Sequence, residues 1–189
     1  MAQKLVVLSG YPCSGKSTLS RFMRDELGYF CLSMDDLREN MYRMTFPEMI
    51  EVIGNEDPTS RAFTNEEQYL RGVFQIQKIA LLNTGKDVVL DGTFGYNSWR
   101  FELLQPSFGI LHYDTPLKRY LVMIDVDRNI LEERAKKKDR DPETLKLWDS
   151  FWENTVDFIY PGENTPKIIR LNNDNLDDMQ TMFRTMRSL

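Results

Sequence analysis

One eight-residue stretch near the amino terminus, Gly10-Tyr-Pro-Cys-Ser-Gly15-Lys16-Ser17, constrains the fold of this chain more than any other feature. It matches G-x-x-x-x-G-K-[ST], and the pattern takes its meaning from what flanks it. Lys4 to Ser9 is a short run rich in leucine and valine with no polar face at a 3.6-residue period, so it reads as a buried strand. After Gly15, the residues Leu19, Phe22, Met23 and Leu27 recur at helical spacing, and Gly28 follows as a left-handed stop. A strand, a glycine-bounded turn and a helix in that order bring free backbone N–H groups and the positive end of a helix to one point, where they hold phosphate oxygens. In such a loop Lys16 reaches the terminal phosphates of a nucleotide and Ser17 takes Mg²⁺. Gly10, Cys13, Ser14, Gly15, Lys16, Ser17 and Thr18 are therefore the candidate nucleotide-binding residues, with ATP and Mg²⁺ as the ligands.

The alternation continues along the chain. Tyr29 to Ser33 and Asp87 to Asp91 are compact β-prone runs, Arg119 to Val126 encloses Leu-Val-Met-Ile, and Lys167 to Leu171 is a fifth strand. Between them, helical spacing appears at Asp35 to Asn40, Asn65 to Asn83, Ser98 to Gln105 and Asn129 to Lys138. Asp141-Pro142 reads as a cap with proline at the first helical position, followed by the stripe Leu145, Trp148, Trp152, Val156 and Ile159, which core packing explains. Leu176, Met179, Met182, Phe183 and Met186 mark a closing helix. Residues 45–64 have the weakest periodicity and read as an insertion with one short helix near 47–53, placed to act as a lid over an acceptor. Residues 106–118 take no assignment. Short buried strands separated by helices predict an α/β fold, a five-stranded parallel sheet with helices on both faces.

A chain of 189 residues with 41% hydrophobic content holds one core, so residues 1–189 read as a single domain. It has no apolar run of the length that spans a membrane, and its two cysteines, Cys13 and Cys31, form no metal pattern, which fits a cytoplasmic protein with free thiols. Cys31 reads as core and Cys13 as a passive loop position, while His112 has no ligand companions and reads as surface or structural. The net charge of −5 gives no global field for nucleic acid, so a polynucleotide would need a local basic site.

Three further groups carry chemistry. Asp91, at the end of the third strand, suits a carboxylate that holds a water of Mg²⁺, although many strands end in an aspartate that only turns the chain. Asp35 and Asp36 follow the second strand at the rim where open α/β sheets bind ligands; one can act as general base on an attacking hydroxyl, and capping of the helix is the plain alternative. Arg38, one turn on, either reaches a phosphate on the acceptor or solvates the helix surface. The basic run 134–141 is either a solvated helix end or a phosphate lid, in which Arg134 and Lys138 share one helix face and Arg140 follows. By topology, Leu171-Asn172-Asn173 neighbours the nucleotide base.

With the loop, the Asp35-Asp36-Leu-Arg38 segment and the Arg134 to Arg140 run together, the chain resembles the small P-loop kinases of the polynucleotide kinase and zeta-toxin group, most nearly the 5′-hydroxyl polynucleotide kinase module. That resemblance implies a three-layer P-loop NTPase fold and transfer of the γ-phosphoryl of ATP to a hydroxyl, with a DNA or RNA 5′ end as the first acceptor. It implies Asp35 as general base, Arg38 on the acceptor's phosphate, Lys16 and Ser17 on ATP and Mg²⁺, and Arg134 on the transferring group. The chain departs from that group's pattern at Asp91-Gly92-Thr93, where D-T-N is usual, and at Lys138, where a second lid arginine is usual. The same scaffold resembles small-molecule and aminoacyl-tRNA kinases, and a nucleotide-binding switch with slow ATPase activity is the alternative from another class.

Overall fold

The computed structural model describes residues 2–44, 48, 61–105, 116–138, 143–149, 152–153 and 165–189. Five strands form one parallel sheet: β1 (Gln3–Gly10), β2 (Phe30–Ser33), β3 (Val88–Asp91), β4 (Leu117–Asp125) and β5 (Lys167–Asn172), in the order β2-β3-β1-β4-β5. The register aligns Leu8 with Asp91 and Gly10 with Ile124, so the carboxyl ends of the three central strands meet at one rim. The helices are α1 (Lys16–Leu27), α2 (Met34–Tyr42), α3 (Arg61–Leu82), α4 (Asn97–Leu104), α5 (Arg128–Lys136), α6 (Glu143–Asp149) and α7 (Leu176–Arg187).

The central strands are apolar on both sides because both sides are covered. Leu5, Val7, Val88, Leu90, Leu121 and Met123 face α2, α3 and α4 through Met34, Leu37, Leu70, Phe74, Trp99 and Leu103. Val6, Leu8, Val89, Val122 and Ile124 face α1 and α7 through Leu19, Met23, Met182 and Met186. Beyond the rim, Leu131, Ala135 and Leu145 form a small third cluster with Tyr11, Cys13 and Val126, which seats α5 and α6 against the loop after β1.

Most element boundaries fall within two residues of the pattern in the sequence, and the exceptions have physical causes. The cap of α2 is Ser33, whose hydroxyl accepts from the Asp36 N–H at 3.2 Å, so neither Asp35 nor Asp36 caps it. Helix α3 starts at Arg61, inside the stretch read as insertion. Helix α5 ends at Lys136, so Lys138 lies in the following turn and does not share a helix face with Arg134. Trp152 and Glu153 stand outside any helix, and Trp152 packs beside the first core cluster. Apart from Glu48, the short helix near 47–53 and the part of the lid before Arg61 lie outside the described residues, as do Pro106 to Thr115 with His112, Arg140, Asp141-Pro142, Val156 and Ile159.

Candidate active site

The loop between β1 and α1 has the shape that its glycines permit. At Gly10 a Cβ would meet Ser14 Oγ at 2.6 Å and the Ile124 carbonyl at 3.0 Å. Gly15 has φ of 101°, and a Cβ there would collide with the side-chain amide of Asn173. Cys13 sits at φ of 67°, an uncommon conformation for a residue with a side chain and one that marks strain held in place by its surroundings. Part of that support comes from Asn173, at the end of β5, whose Nδ2 donates to the Ser14 carbonyl at 2.7 Å.

Lys16 is buried beneath the loop and donates from Nζ to the carbonyls of Gly10 and Tyr11, both at 2.8 Å. Its ammonium thus sits under the loop that the sequence assigns to phosphates. Ser17 and Thr18 are exposed on the first turn of α1, where unfilled N–H groups and the helix dipole favour an anion. Asp91 lies beside them, 4% exposed, accepting from the Ser20 hydroxyl at 2.9 Å. Burial pushes its carboxyl above the usual carboxylate range, against the pull of the Lys16 ammonium and the hydroxyls of Ser20 and Ser17, while the charge of Asp35 pushes the same way as burial. A buried carboxylate beside an exposed hydroxyl at the end of a phosphate loop fits Mg²⁺, which takes one or two protein oxygens and completes its shell with phosphate and water. Among the described residues no group of three acidic, histidine or cysteine side chains forms a separate metal cage.

Asp35 projects from the first turn of α2, with its side chain 79% exposed, and accepts from Arg38 Nη1 at 2.9 Å. Arg38 is buried, and its Nη2 also lies 3.4 Å from Glu67 of α3. It is therefore flanked by two carboxylates and does not simply solvate the helix. Arg134 turns to the other side of the rim, donating from Nη2 to the carbonyls of Asn173 at 2.7 Å and Asp174 at 3.4 Å. It braces the loop that in turn braces the phosphate loop through Asn173. Lys138 is exposed. The structure thus brings together Gly10 to Thr18, Asp91 and, through its charge, Asp35, and it places Arg134 and Asn173 at the opposite flank.

Two partners of the site are silent in the sequence. Arg100 of α4 has no exposed surface, and its Nε donates to Ser9 Oγ at 3.1 Å and to the Phe94 carbonyl at 2.6 Å, while Nη1 donates to the Glu153 carbonyl at 2.6 Å. Burial drives its pKa down to about 10. Tyr11 stacks on Trp152 with ring centroids 4.7 Å apart and donates its hydroxyl to Asp149 at 3.0 Å, which ties the loop to the segment after α6. Burial and that hydrogen bond push its phenol up to about 12. Beside Tyr11, a groove of about 590 Å³ is lined by Val126, Arg128, Leu131, Lys146 and Asp149. No motif spacing flags Arg100 or Glu67, because their partners are far away in sequence.

Comparison with known proteins agrees with this architecture. The chain is 26% identical over 149 residues to a protein named shikimate kinase from Clostridium beijerinckii, covering 78% of each chain. A gluconokinase from Sinorhizobium meliloti superposes with a TM-score of 0.62 at 16% identity, covering 98% of this chain and 94% of that one. A shikimate kinase from Bacteroides thetaiotaomicron superposes with a TM-score of 0.57 at 13% identity, covering 97% and 96%. At such identities the two superpositions speak for the fold. The family that matches residues 5–150 is the AAA domain family, and on that match, which spans the loop, Asp35, Asp91 and Arg134, the chain belongs to it.

Proposed function

We propose that this chain is an ATP-dependent kinase that transfers the γ-phosphoryl of ATP to a hydroxyl of a small molecule. One observation carries the reading: Lys16, Ser17 and buried Asp91 meet at the sheet rim on which Asp35 stands exposed, so a nucleotide-phosphate site and a candidate base share one edge. Backbone N–H groups of the loop hold the phosphates, and Lys16, released from the carbonyls of Gly10 and Tyr11, turns its charge to them. Ser17 and Asp91 would hold Mg²⁺, which would supply charge neutralisation at the phosphates. Asp35 accepts the hydroxyl proton as the acceptor oxygen attacks phosphorus, and Arg38 keeps that carboxylate oriented. Arg134 acts by holding the Asn173–Asp174 loop against the phosphate loop.

A small acceptor is favoured over a polynucleotide 5′ end. Relatives and fold neighbours are named for kinases of small molecules, the net charge is −5, and Arg38, the residue assigned to a strand's phosphate, is buried between Asp35 and Glu67. The test is transfer of label from γ-labelled ATP with Mg²⁺ to a panel of hydroxylated metabolites and a 5′-hydroxyl oligonucleotide, with Asp35→Asn as control. The expected result is a labelled small molecule whose formation falls roughly 10²- to 10⁴-fold in the variant. Label on the oligonucleotide restores the polynucleotide reading, and ATP hydrolysis unaffected by Asp35→Asn with no labelled acceptor points to a nucleotide switch.

A further inference from the structure

We propose that Arg100 is a positioning residue for the phosphate site: it locks the end of β1 to the turn after β3 and thereby keeps Ser17 and Asp91 paired for Mg²⁺. The proposal rests on the kinase reading for the use of that pair and on separate geometry for Arg100 itself. Asp91 ends β3 and accepts from the hydroxyl of Ser17, which follows β1, so the pair depends on how those two strands are joined at the rim. The β1–β3 ladder stops at Leu8 and Asp91. Among the described residues one backbone hydrogen bond follows it, from the Gly10 N–H to the Thr93 carbonyl at 3.4 Å, which is long. Side chains complete the junction. Ser9 donates its hydroxyl to the carbonyls of Thr93 and Phe94 at 3.1 and 3.0 Å, and Arg100 Nε reaches Ser9 Oγ at 3.1 Å and the Phe94 carbonyl at 2.6 Å. Phe94 sits at φ of 41°, a strained conformation that persists only while its surroundings hold it.

The same guanidinium holds a third segment. Its Nη1 donates to the Glu153 carbonyl at 2.6 Å, and its carbon lies 4.7 Å from the ring centroid of Trp152, which stacks on Tyr11 of the phosphate loop. Glu153 is fixed in turn to the turn after β3, its N–H donating to the Gly95 carbonyl at 3.1 Å and its Oε2 accepting from the Asn97 N–H at 2.8 Å. Filling space does not explain Arg100. It has no exposed surface, and its acceptors are Ser9 Oγ, Asn97 Oδ1 and the carbonyls of Phe94 and Glu153. A buried charge is costly, and a well-packed apolar side chain in such a place is often neutral or stabilising. What the rigid fork supplies, and an apolar chain does not, is a fixed spacing between backbone segments. Mg²⁺ needs that spacing, because its ligand distances are short and its octahedron is strict.

The test uses the whole chain and measures affinity for a non-hydrolysable ATP analogue by titration calorimetry, with Mg²⁺ and with EDTA, beside denaturant melts. Arg100→Lys keeps the charge without the fork, and Ser9→Ala removes the hydroxyl through which Arg100 reaches β1. In both variants affinity with EDTA should change little, whereas the gain in affinity on adding Mg²⁺ should shrink roughly tenfold or more. The double variant should lose no more than the worse single variant, because both act at one junction. A folded Arg100→Lys chain whose Mg²⁺ gain equals the parent's, whatever its stability, overturns the proposal. So does one that loses affinity equally with Mg²⁺ and with EDTA. If Arg100→Lys does not fold, Ser9→Ala decides by the same two outcomes. A parent chain without a Mg²⁺ gain sinks the kinase reading together with the proposal, while a parent with that gain and variants that match it sinks the proposal alone.

Discussion

At the scale of single residues, the loop depends on positions where a side chain is forbidden. In Gly15→Ala a methyl group would be held at φ of 101° against the Asn173 amide, so both the backbone and the brace from β5 would have to yield. The expected outcome is loss of nucleotide binding with a destabilisation of about 1–3 kcal/mol, read by titration calorimetry and denaturant melts on the same preparation. Lys16→Ala removes the ammonium beneath the loop and should abolish ATP turnover while leaving the circular dichroism spectrum unchanged. Retained turnover in that variant would count against the whole nucleotide-site assignment. Asn173→Ala is the subtler case: it releases the Ser14 carbonyl and should weaken nucleotide binding more than it weakens the fold.

At the scale of elements, one buried cation staples two helices. Lys78 of α3 is 1% exposed and donates to the carbonyls of Glu102, Leu103 and Gln105 at 3.4, 3.1 and 3.2 Å, which satisfies the open end of α4. Burial lowers its pKa from 10.5 to about 8. Because the folded value is below the unfolded one, the unfolded chain binds the extra proton between about pH 8 and 10.5, so this group penalises the fold at neutral pH and the penalty lifts as pH rises through that window. Denaturant melts between pH 7.5 and 10 should show a rise on the order of 1–3 kcal/mol from this group, and Lys78→Met should flatten it. The same variant strands three carbonyls and should be less stable than the parent at pH 7.5. Helix α4 matters because it carries Arg100 to Ser9 and the Phe94 carbonyl, under the end of β1 that opens into the phosphate loop.

At the scale of the whole molecule, a ligand that binds only the folded chain stabilises it by mass action. With Mg²⁺ and the ATP analogue at a hundredfold excess over Kd, the gain is about 2.7 kcal/mol. For a chain of 189 residues that raises the melting temperature by roughly 5–10 °C, and Lys16→Ala should remove the rise. Salt separates the acceptor classes: a polynucleotide held by phosphate contacts loses affinity steeply as salt increases, whereas turnover of a small acceptor should change little. Among the described residues no helix is long and apolar enough to cross a membrane.

The five parallel strands, the two covered faces of the sheet and the phosphate loop are determined by the sequence alone, because each depends on local periodicity or on a motif whose spacing is its mechanism, whereas the order β2-β3-β1-β4-β5 is visible only in the fold. Asp91 and Asp35 are marked as candidates by position alone, Asp91 as the last residue of the buried strand β3 and Asp35 in the first turn of the helix that follows the half-buried β2. What surrounds them was decided by tertiary structure. Ser33 takes the cap that the aspartates were placed to make, Arg134 turns to the Asn173 carbonyl, Glu67 pairs with Arg38, Arg71 stacks on Trp99, and Arg100 reaches Ser9, each across dozens of residues of chain. On the identity of the acceptor the loop motif is silent. Phosphate is recognised by backbone geometry within one short segment, whereas an acceptor is recognised by side chains that only folding brings to one corner.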